Sequence, residues 1–188
     1  IKFYELNLHP ILLKGIKEKN YINATEIQKK AIPLIIKNND ILGSAQTGTG
    51  KTAAFALPIL QHLIQGKRLK NKIKALIITP TRELAIQINE NITSYAKYSN
   101  IKNLVIYGVV KQGRQVHAIK NGIDILIATP GRLLDLIKQD FISLKNIRYF
   151  VLDEADRMLD MGFIHDINKI IAKLPHERQS LFFSATMP

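Results

Sequence analysis

The chain has 188 residues, 46% of them apolar and 22% charged, contains no Cys, and carries 27 Lys plus Arg against 15 Asp plus Glu for a net charge of +12. A chain of this size can hide roughly 70% of its unfolded surface, and its 22% charged residues with 17 Gly plus Pro exclude disordered, collagen-like and coiled-coil classes; lack of Cys excludes a disulfide framework, a thiolate metal site and a cysteine nucleophile. The cationic excess favours a polyanionic partner such as nucleic acid or an acidic membrane surface, with a Lys-rich solubilising surface as the plain alternative.

Two helical patterns come first, Pro10–Lys19 and Glu26–Lys37. A strand over Asp40–Ser44 leads through a glycine-bearing turn into a helix over Lys51–Gln65, and Gly66–Lys74 is a basic loop. Strands are then predicted at Ala75–Thr79, Leu104–Tyr107, Asp124–Ala128, Tyr149–Leu152 and Ser180–Phe183, with helices at Glu83–Tyr95, Arg132–Lys138 and Ile164–Leu174. Most of the strands are apolar throughout, as strands buried on both faces are. Strand and helix in alternation imply right-handed crossovers and an α/β domain, a parallel sheet with helices on both faces. The longest apolar run, Ala53 to Leu60, is far shorter than the roughly 18 residues of a membrane span, so no membrane partner is expected. A chain that opens at Ile1 and stops at Pro188 reads as a piece of something longer.

The strongest chemical signal is the run Ala45, Gln46, Thr47, Gly48, Thr49, Gly50, Lys51, Thr52 between a strand and a helix, a P-loop with Ala at the usual first Gly. Glycines let successive N–H groups and the helix N-terminus face phosphates. In such a loop Lys51 reaches the β- and γ-phosphates of ATP and Thr52 ligates Mg²⁺. The second signal is Asp153-Glu-Ala-Asp156 after an apolar strand: Asp153 is assigned to the metal and Glu154 to the attacking water. Thr25 and Gln28 fit a helix capping box, and the Gln28 amide also suits the donor–acceptor edge of adenine. Two buried strands end in Thr-Pro, giving Pro80, Thr81 and Arg82 in one copy and Thr129, Pro130, Gly131 and Arg132 in the other. Each reads as a helix start with Thr at the cap and Pro at the first helical position, or as a grip on a sugar–phosphate backbone. The five His show no metal-ligand spacing, and Ser184 has no His/Asp partner pattern.

These pieces in this order resemble the first RecA-like lobe of a DEAD-box RNA helicase, from Phe3 to Pro188, with the flank Arg157–Phe163 most similar to the bacterial RhlE-type subgroup. The resemblance implies one domain over residues 1–188: a Q motif (3–29) with Phe3, Tyr21, Thr25 and Gln28 sensing adenine, the P-loop (45–52), and the DEAD box (153–156). It further implies RNA-backbone contacts from 80–82, Gly108 and 129–132, and a coupling role for Ser184, Thr186 and Asp156. Two positions depart from the family: Ala24 stands where Pro is usual, and Gly108-Val109 replaces a Gly-Gly pair, which puts contact at Val109 in doubt. The implied activity is RNA-dependent ATP hydrolysis coupled to duplex unwinding in the cytoplasm, with ATP and Mg²⁺ as cofactors. RNA and a second RecA-like lobe are the implied partners. That lobe would supply the arginines that neutralise developing charge, so these 188 residues alone should bind nucleotide but hydrolyse it poorly. An RNA-annealing module with a regulatory nucleotide site, or a DNA translocase on the same core, are the alternatives.

Overall fold

The structure, a computed structural model, describes residues 1–46, 48–67, 69, 71–108 and 111–185. Among the described residues six strands form one parallel sheet: β1 (Ile41–Ser44), β2 (Ala75–Ile78), β3 (Asn103–Ile106), β4 (Ile125–Ala128), β5 (Tyr149–Leu152) and β6 (Gln179–Ser184), in the order β1-β6-β5-β2-β4-β3. Around them lie α1 (Pro10–Glu18), α2 (Glu26–Ile36), α3 (Lys51–Gln65), α4 (Arg82–Tyr95), α5 (Gln112–Lys120), α6 (Pro130–Lys138), α7 (Ala155–Asp160) and α8 (Ile164–Ile171), after a 3-10 turn at Phe3–Leu6. No helix of the described residues is long and apolar enough to cross a membrane.

Side-chain alternation along each strand divides the core in two. Ile77, Ile127, Val151, Leu181 and Phe183 pack under α1 to α4, and Leu76, Ile78, Leu126, Phe150 and Leu152 pack under α6 to α8. α3 is buried on almost every side, since it lies between the sheet and the helices α2 and α4. Burial on both faces holds for β2 and β4 but not for β1, where Leu42 is 64% exposed. β1 is one of the two edge strands, and Leu42 and Ser44 on its second face are exposed. Helices α1 and α2 stop one residue earlier than expected because Asn20 and Asn38 take the left-handed conformation just past them. The N–H groups of Tyr21 and Asn39 then return to the carbonyls of Ile16 and Leu34, which closes each helix end.

Two helices, α5 and α7, lie where no helix was expected. Among the residues of α5 only Gln115 is buried, and among those of α7 only Met158. Neither carries the apolar stripe that reveals a helix in sequence. The two Thr-Pro segments also differ from the expected matching starts. Thr129 and Pro130 are the cap and first turn of α6, but α4 is capped by Thr81, whose hydroxyl accepts the Leu84 N–H at 3.3 Å. Thr79 is instead the fully buried residue after β2.

Candidate active site

Parallel register brings every motif to the carboxyl edge of the sheet, where open α/β sheets bind ligands. Read across the strand order, that edge carries the P-loop after β1, Ser184 at the end of β6, Asp153 after β5, Thr79 after β2, Thr129 after β4 and Tyr107 after β3. The phosphate-loop and acidic motifs therefore occupy one half of the edge and the Thr-Pro motifs the other.

In the P-loop, Ala45 is buried and donates its N–H to the Ser184 carbonyl at 3.0 Å. The Thr49 hydroxyl donates to the Gln46 carbonyl at 2.6 Å. Gly48 and Gly50 have φ of +88° and +81°, a region that disfavours any side chain. Thr47 lies outside the described residues. Lys51, the first residue of α3, is 8% exposed and points its Nζ at Asp153 Oδ1, 2.7 Å away, with Glu154 Oε2 at 3.9 Å. Asp153 is 2% exposed. Burial pushes its carboxyl above the ordinary aspartate value, and the Lys51 charge pulls it back. Glu154 sits in the left-handed conformation (φ 57°, ψ 50°), with Arg157 at 3.6 Å from its carboxylate.

The Q-motif residues meet the P-loop directly. Gln28 Oε1 accepts the Thr25 N–H at 2.8 Å and the Thr25 hydroxyl accepts the Gln28 N–H at 3.5 Å, the expected capping box, and Gln28 Nε2 donates to the Gly50 carbonyl at 3.1 Å. An amide has two donors and two lone pairs, so one of each remains for a ligand. Phe3 and Tyr21 stack with centroids 5.9 Å apart, and the Tyr21 hydroxyl lies 3.4 Å from that of Tyr95. A cavity of about 480 Å³ joins these groups, running from Lys51, Thr52, Asp153 and Glu154 past Gln28 to Phe3 and Tyr21. Its far wall was not expected from sequence: Leu84, Gln87, Ile88, Asn91 and Tyr95 of α4. Their spacing of three or four residues is the signal that could have found them.

Across the edge, the Arg82 guanidinium lies 5.1 Å from the Tyr107 ring centroid, and Arg132 donates to Gln115 Oε1 at 3.4 Å. Gln115 in turn donates to the Tyr107 carbonyl at 3.2 Å, so one buried amide joins the loop before Gly108 to α6. Arg82 and Gly131 are exposed, and Thr81, Gly108, Thr129 and Arg132 half-buried. Pro80 and Pro130 are buried, so they shape these turns and present no surface of their own. Val109 and Thr186 lie outside the described residues. Ser184 Oγ accepts the Asp156 N–H at 3.3 Å, tying β6 to α7.

The donor set can be tested against a hard divalent cation. Asp153 Oδ1 and Thr79 Oγ1 are buried without a hydrogen bond, the first having only its ion pair with Lys51. The Asp153 carboxylate with the hydroxyl of Thr52, which lines the same cavity, and the rest of the sphere left to water and phosphate, is how Mg²⁺ is usually held. The residues fit such an ion.

A family model described as DEAD/DEAH box helicase matches residues 25–188. The chain belongs to this family. Its relatives include the DEAD-box ATP-dependent RNA helicase CshA of Streptococcus pneumoniae, 46% identical over 188 residues, which are 100% of this chain and 35% of that protein. The helicase RhpA of Helicobacter pylori is 46% identical over 186 residues, 99% of this chain and 37% of that protein. The crystal structure of a DEAD box protein from the hyperthermophile Methanococcus jannaschii superposes with a TM-score of 0.92 at 44% identity, covering 100% of this chain and 50% of that one. This DEAD-box chain thus spans a little over a third of the length of these curated relatives, and the RecA-like architecture expected of it is the one observed.

Proposed function

We propose that residues 1–188 form a single nucleotide-binding lobe of an ATP-dependent RNA helicase working in the cytoplasm, and that a second lobe of the longer protein completes its sites. The observation that carries this reading is the buried Lys51, aimed at Asp153 and Glu154 in a cavity that the P-loop, α2 and α4 enclose. Without ligand the Lys51 ammonium neutralises Asp153. A triphosphate in the loop offers Lys51 a second anionic partner, and Asp153 is then free to face Mg²⁺ with Thr52. The metal supplies charge neutralisation on the phosphates. Glu154 orients a water and takes its proton. Gln28 reads the adenine edge with its remaining donor and lone pair while Phe3 and Tyr21 form the apolar end of the cavity.

On the other half of the edge, Arg82, Arg132 and the backbone around Gly108, Gly131 and the Thr-Pro turns grip an RNA sugar–phosphate chain. The hydrogen bond from Asp156 to Ser184 links the acidic motif to β6, and Thr186 follows it in sequence, so a change at the acids is passed toward the segment leading to the second lobe. Thr49, Gln46, Ala45, Gly48 and Thr47 serve as the phosphate cradle.

Titration of this chain with a fluorescent ADP analogue tests the reading. Uptake should be abolished in Lys51→Ala, and Gln28→Ala should lose preference for adenine over guanine nucleotides. A correctly folded sample that takes up no adenine nucleotide would refute the proposal, and so would rapid RNA-stimulated ATP turnover by these 188 residues alone.

A further inference from the structure

The amino edge of the sheet, opposite the site just described, carries a charge pattern that the nucleotide chemistry does not use. The segments leading into β2, β3 and β5 (66–74, 99–102 and 143–148) contain eight Lys or Arg and no Asp or Glu. Helix C-termini attract cations for dipole reasons, but the six of these that are described (Lys67, Lys72, Lys74, Lys102, Lys145 and Arg148) lie outside the helices. Backbone hydrogen bonds place them side by side: Arg148 N–H to the Lys74 carbonyl at 2.7 Å, Lys74 N–H to Asp124 at 2.9 Å, and Asp124 N–H to Lys102 at 2.8 Å. Asp124, the one acid at these four strand starts, is buried and accepts the Lys102 N–H. Lys67, Lys72, Lys102, Lys145 and Arg148 are all exposed. Lys74 is buried and donates its ammonium to the Lys67 carbonyl, which ties the Lys67 backbone to the approach to β2.

We propose that this row is a second RNA-backbone site, on the amino edge between β5 and β3. Four neighbouring strands at a spacing of about 4.8 Å make a row of roughly 14 Å. Its exposed cations Lys72, Lys102, Lys145 and Arg148 offer about four contacts to a phosphate backbone. Beside it lies a notch of about 360 Å³ whose lining includes Asn71, Lys102, Asn121 and Gly122, and the Asn amides suit phosphate and ribose oxygens. Among the described residues of these segments, Leu69 is the one exposed large apolar side chain, which disfavours a lipid surface. The site lies a strand length from the carboxyl edge, so RNA could be held there whatever the state of the nucleotide. It stands independently of the nucleotide site.

The test is the salt dependence of binding of a short labelled single-stranded RNA to this chain, compared with the variant Lys72→Gln/Lys102→Gln/Lys145→Gln/Arg148→Gln. With about four contacts at a slope of about 0.7 each, affinity of the unaltered chain should fall about 50-fold more than the variant's between about 50 and about 200 mM salt. The pair Lys102→Gln/Lys145→Gln should show about a sevenfold difference and serves if the quadruple variant fails to take up the ADP analogue. Equal salt dependence in both proteins overturns the proposal. So does equal competition by polyglutamate, which would mark a general anion or acidic-protein surface. Uptake of the ADP analogue by the variants, together with Lys51→Ala in parallel, separates failure here from failure of the nucleotide reading.

Discussion

Replacing Gly50 by Ala should cost the chain about twice what the same change costs at Gly48. Both residues have φ near +80 to +90°, where a Cβ costs about 1–2 kcal/mol. At Gly48 nothing lies within 4 Å of the added carbon, so the strain stands alone. At Gly50 that carbon would lie 2.3 Å from Gln28 Nε2 and 3.1 Å from Thr25 Oγ1. The Gln28 amide must therefore swing away, losing its bonds to the Gly50 carbonyl and the Thr25 N–H, at about 1 kcal/mol each. Gly50→Ala then costs about 3–4 kcal/mol, against about 1–2 kcal/mol for Gly48→Ala. Gln28→Ala alone loses the same two bonds, about 2 kcal/mol, and removes the 2.3 Å clash, so that only the Thr25 hydroxyl still faces the new methyl closely. The double variant should therefore cost about 3–4 kcal/mol in place of an additive 5–6, a coupling of about 2 kcal/mol. Urea unfolding of the nucleotide-free chain, followed by far-UV circular dichroism, reads the unaltered chain and all four variants. Additivity within about 0.5 kcal/mol, or equal costs at the two glycines, would show that Gln28 does not press on the P-loop.

Lys51→Ala should destabilise the nucleotide-free chain by about 3 kcal/mol, because it leaves the buried Asp153 carboxylate without its partner; Asp153→Asn in the same protein should restore most of the urea midpoint. Burial and the neighbouring Tyr21 hydroxyl push the Tyr95 hydroxyl well above the ordinary tyrosine value near 10. Its folded value exceeds its unfolded one, so its contribution is intact below about pH 10 and is lost as pH rises above it. Tyr95→Phe should therefore flatten the alkaline fall in stability, with the half-buried Tyr149, shifted in the same direction, sustaining the remainder.

What the sequence disclosed followed from how much apolar surface each segment buries. β2 and β4 are apolar at every position and lie in the middle of the sheet, and α3 was placed with its ends correct, because its burial leaves few polar positions to blur the pattern. α5 and α7 were invisible for the opposite reason: their few core contacts give no period to count. The exposed face of β1 was also missed, because an edge strand and a central strand share the same short apolar run. Within the candidate site, loops bonded to nearby backbone were readable as motifs. The α4 wall was not, since Gln87 and Asn91 become part of a cavity only when α4 packs beside α3. Nor could spacing alone say that Gln28 satisfies its own helix cap and the P-loop carbonyl at once.

Glu154 shows where the fold spends stability on geometry. Among the described residues it is one of six non-glycine residues with positive φ, and four of the others are Asn, which tolerates that region far better than Glu does. Its carboxylate is held near Lys51 and Arg157 on a backbone that opposes it, at a cost of about 1–2 kcal/mol. Such strain persists when the position of the side chain matters more than local comfort. Removing the carboxylate in two ways isolates the cost: Glu154→Ala keeps the strained backbone with a Cβ, and Glu154→Gly does not. Within a helix Ala exceeds Gly by about 1 kcal/mol; here Gly should be the more stable variant by about 1–2 kcal/mol. Both variants should bind the ADP analogue, because Lys51 and Asp153 are untouched, and both should abolish ATP turnover in the longer protein. If Glu154→Ala proves as stable as Glu154→Gly in urea, the backbone at this acid is not strained and its position needs another explanation.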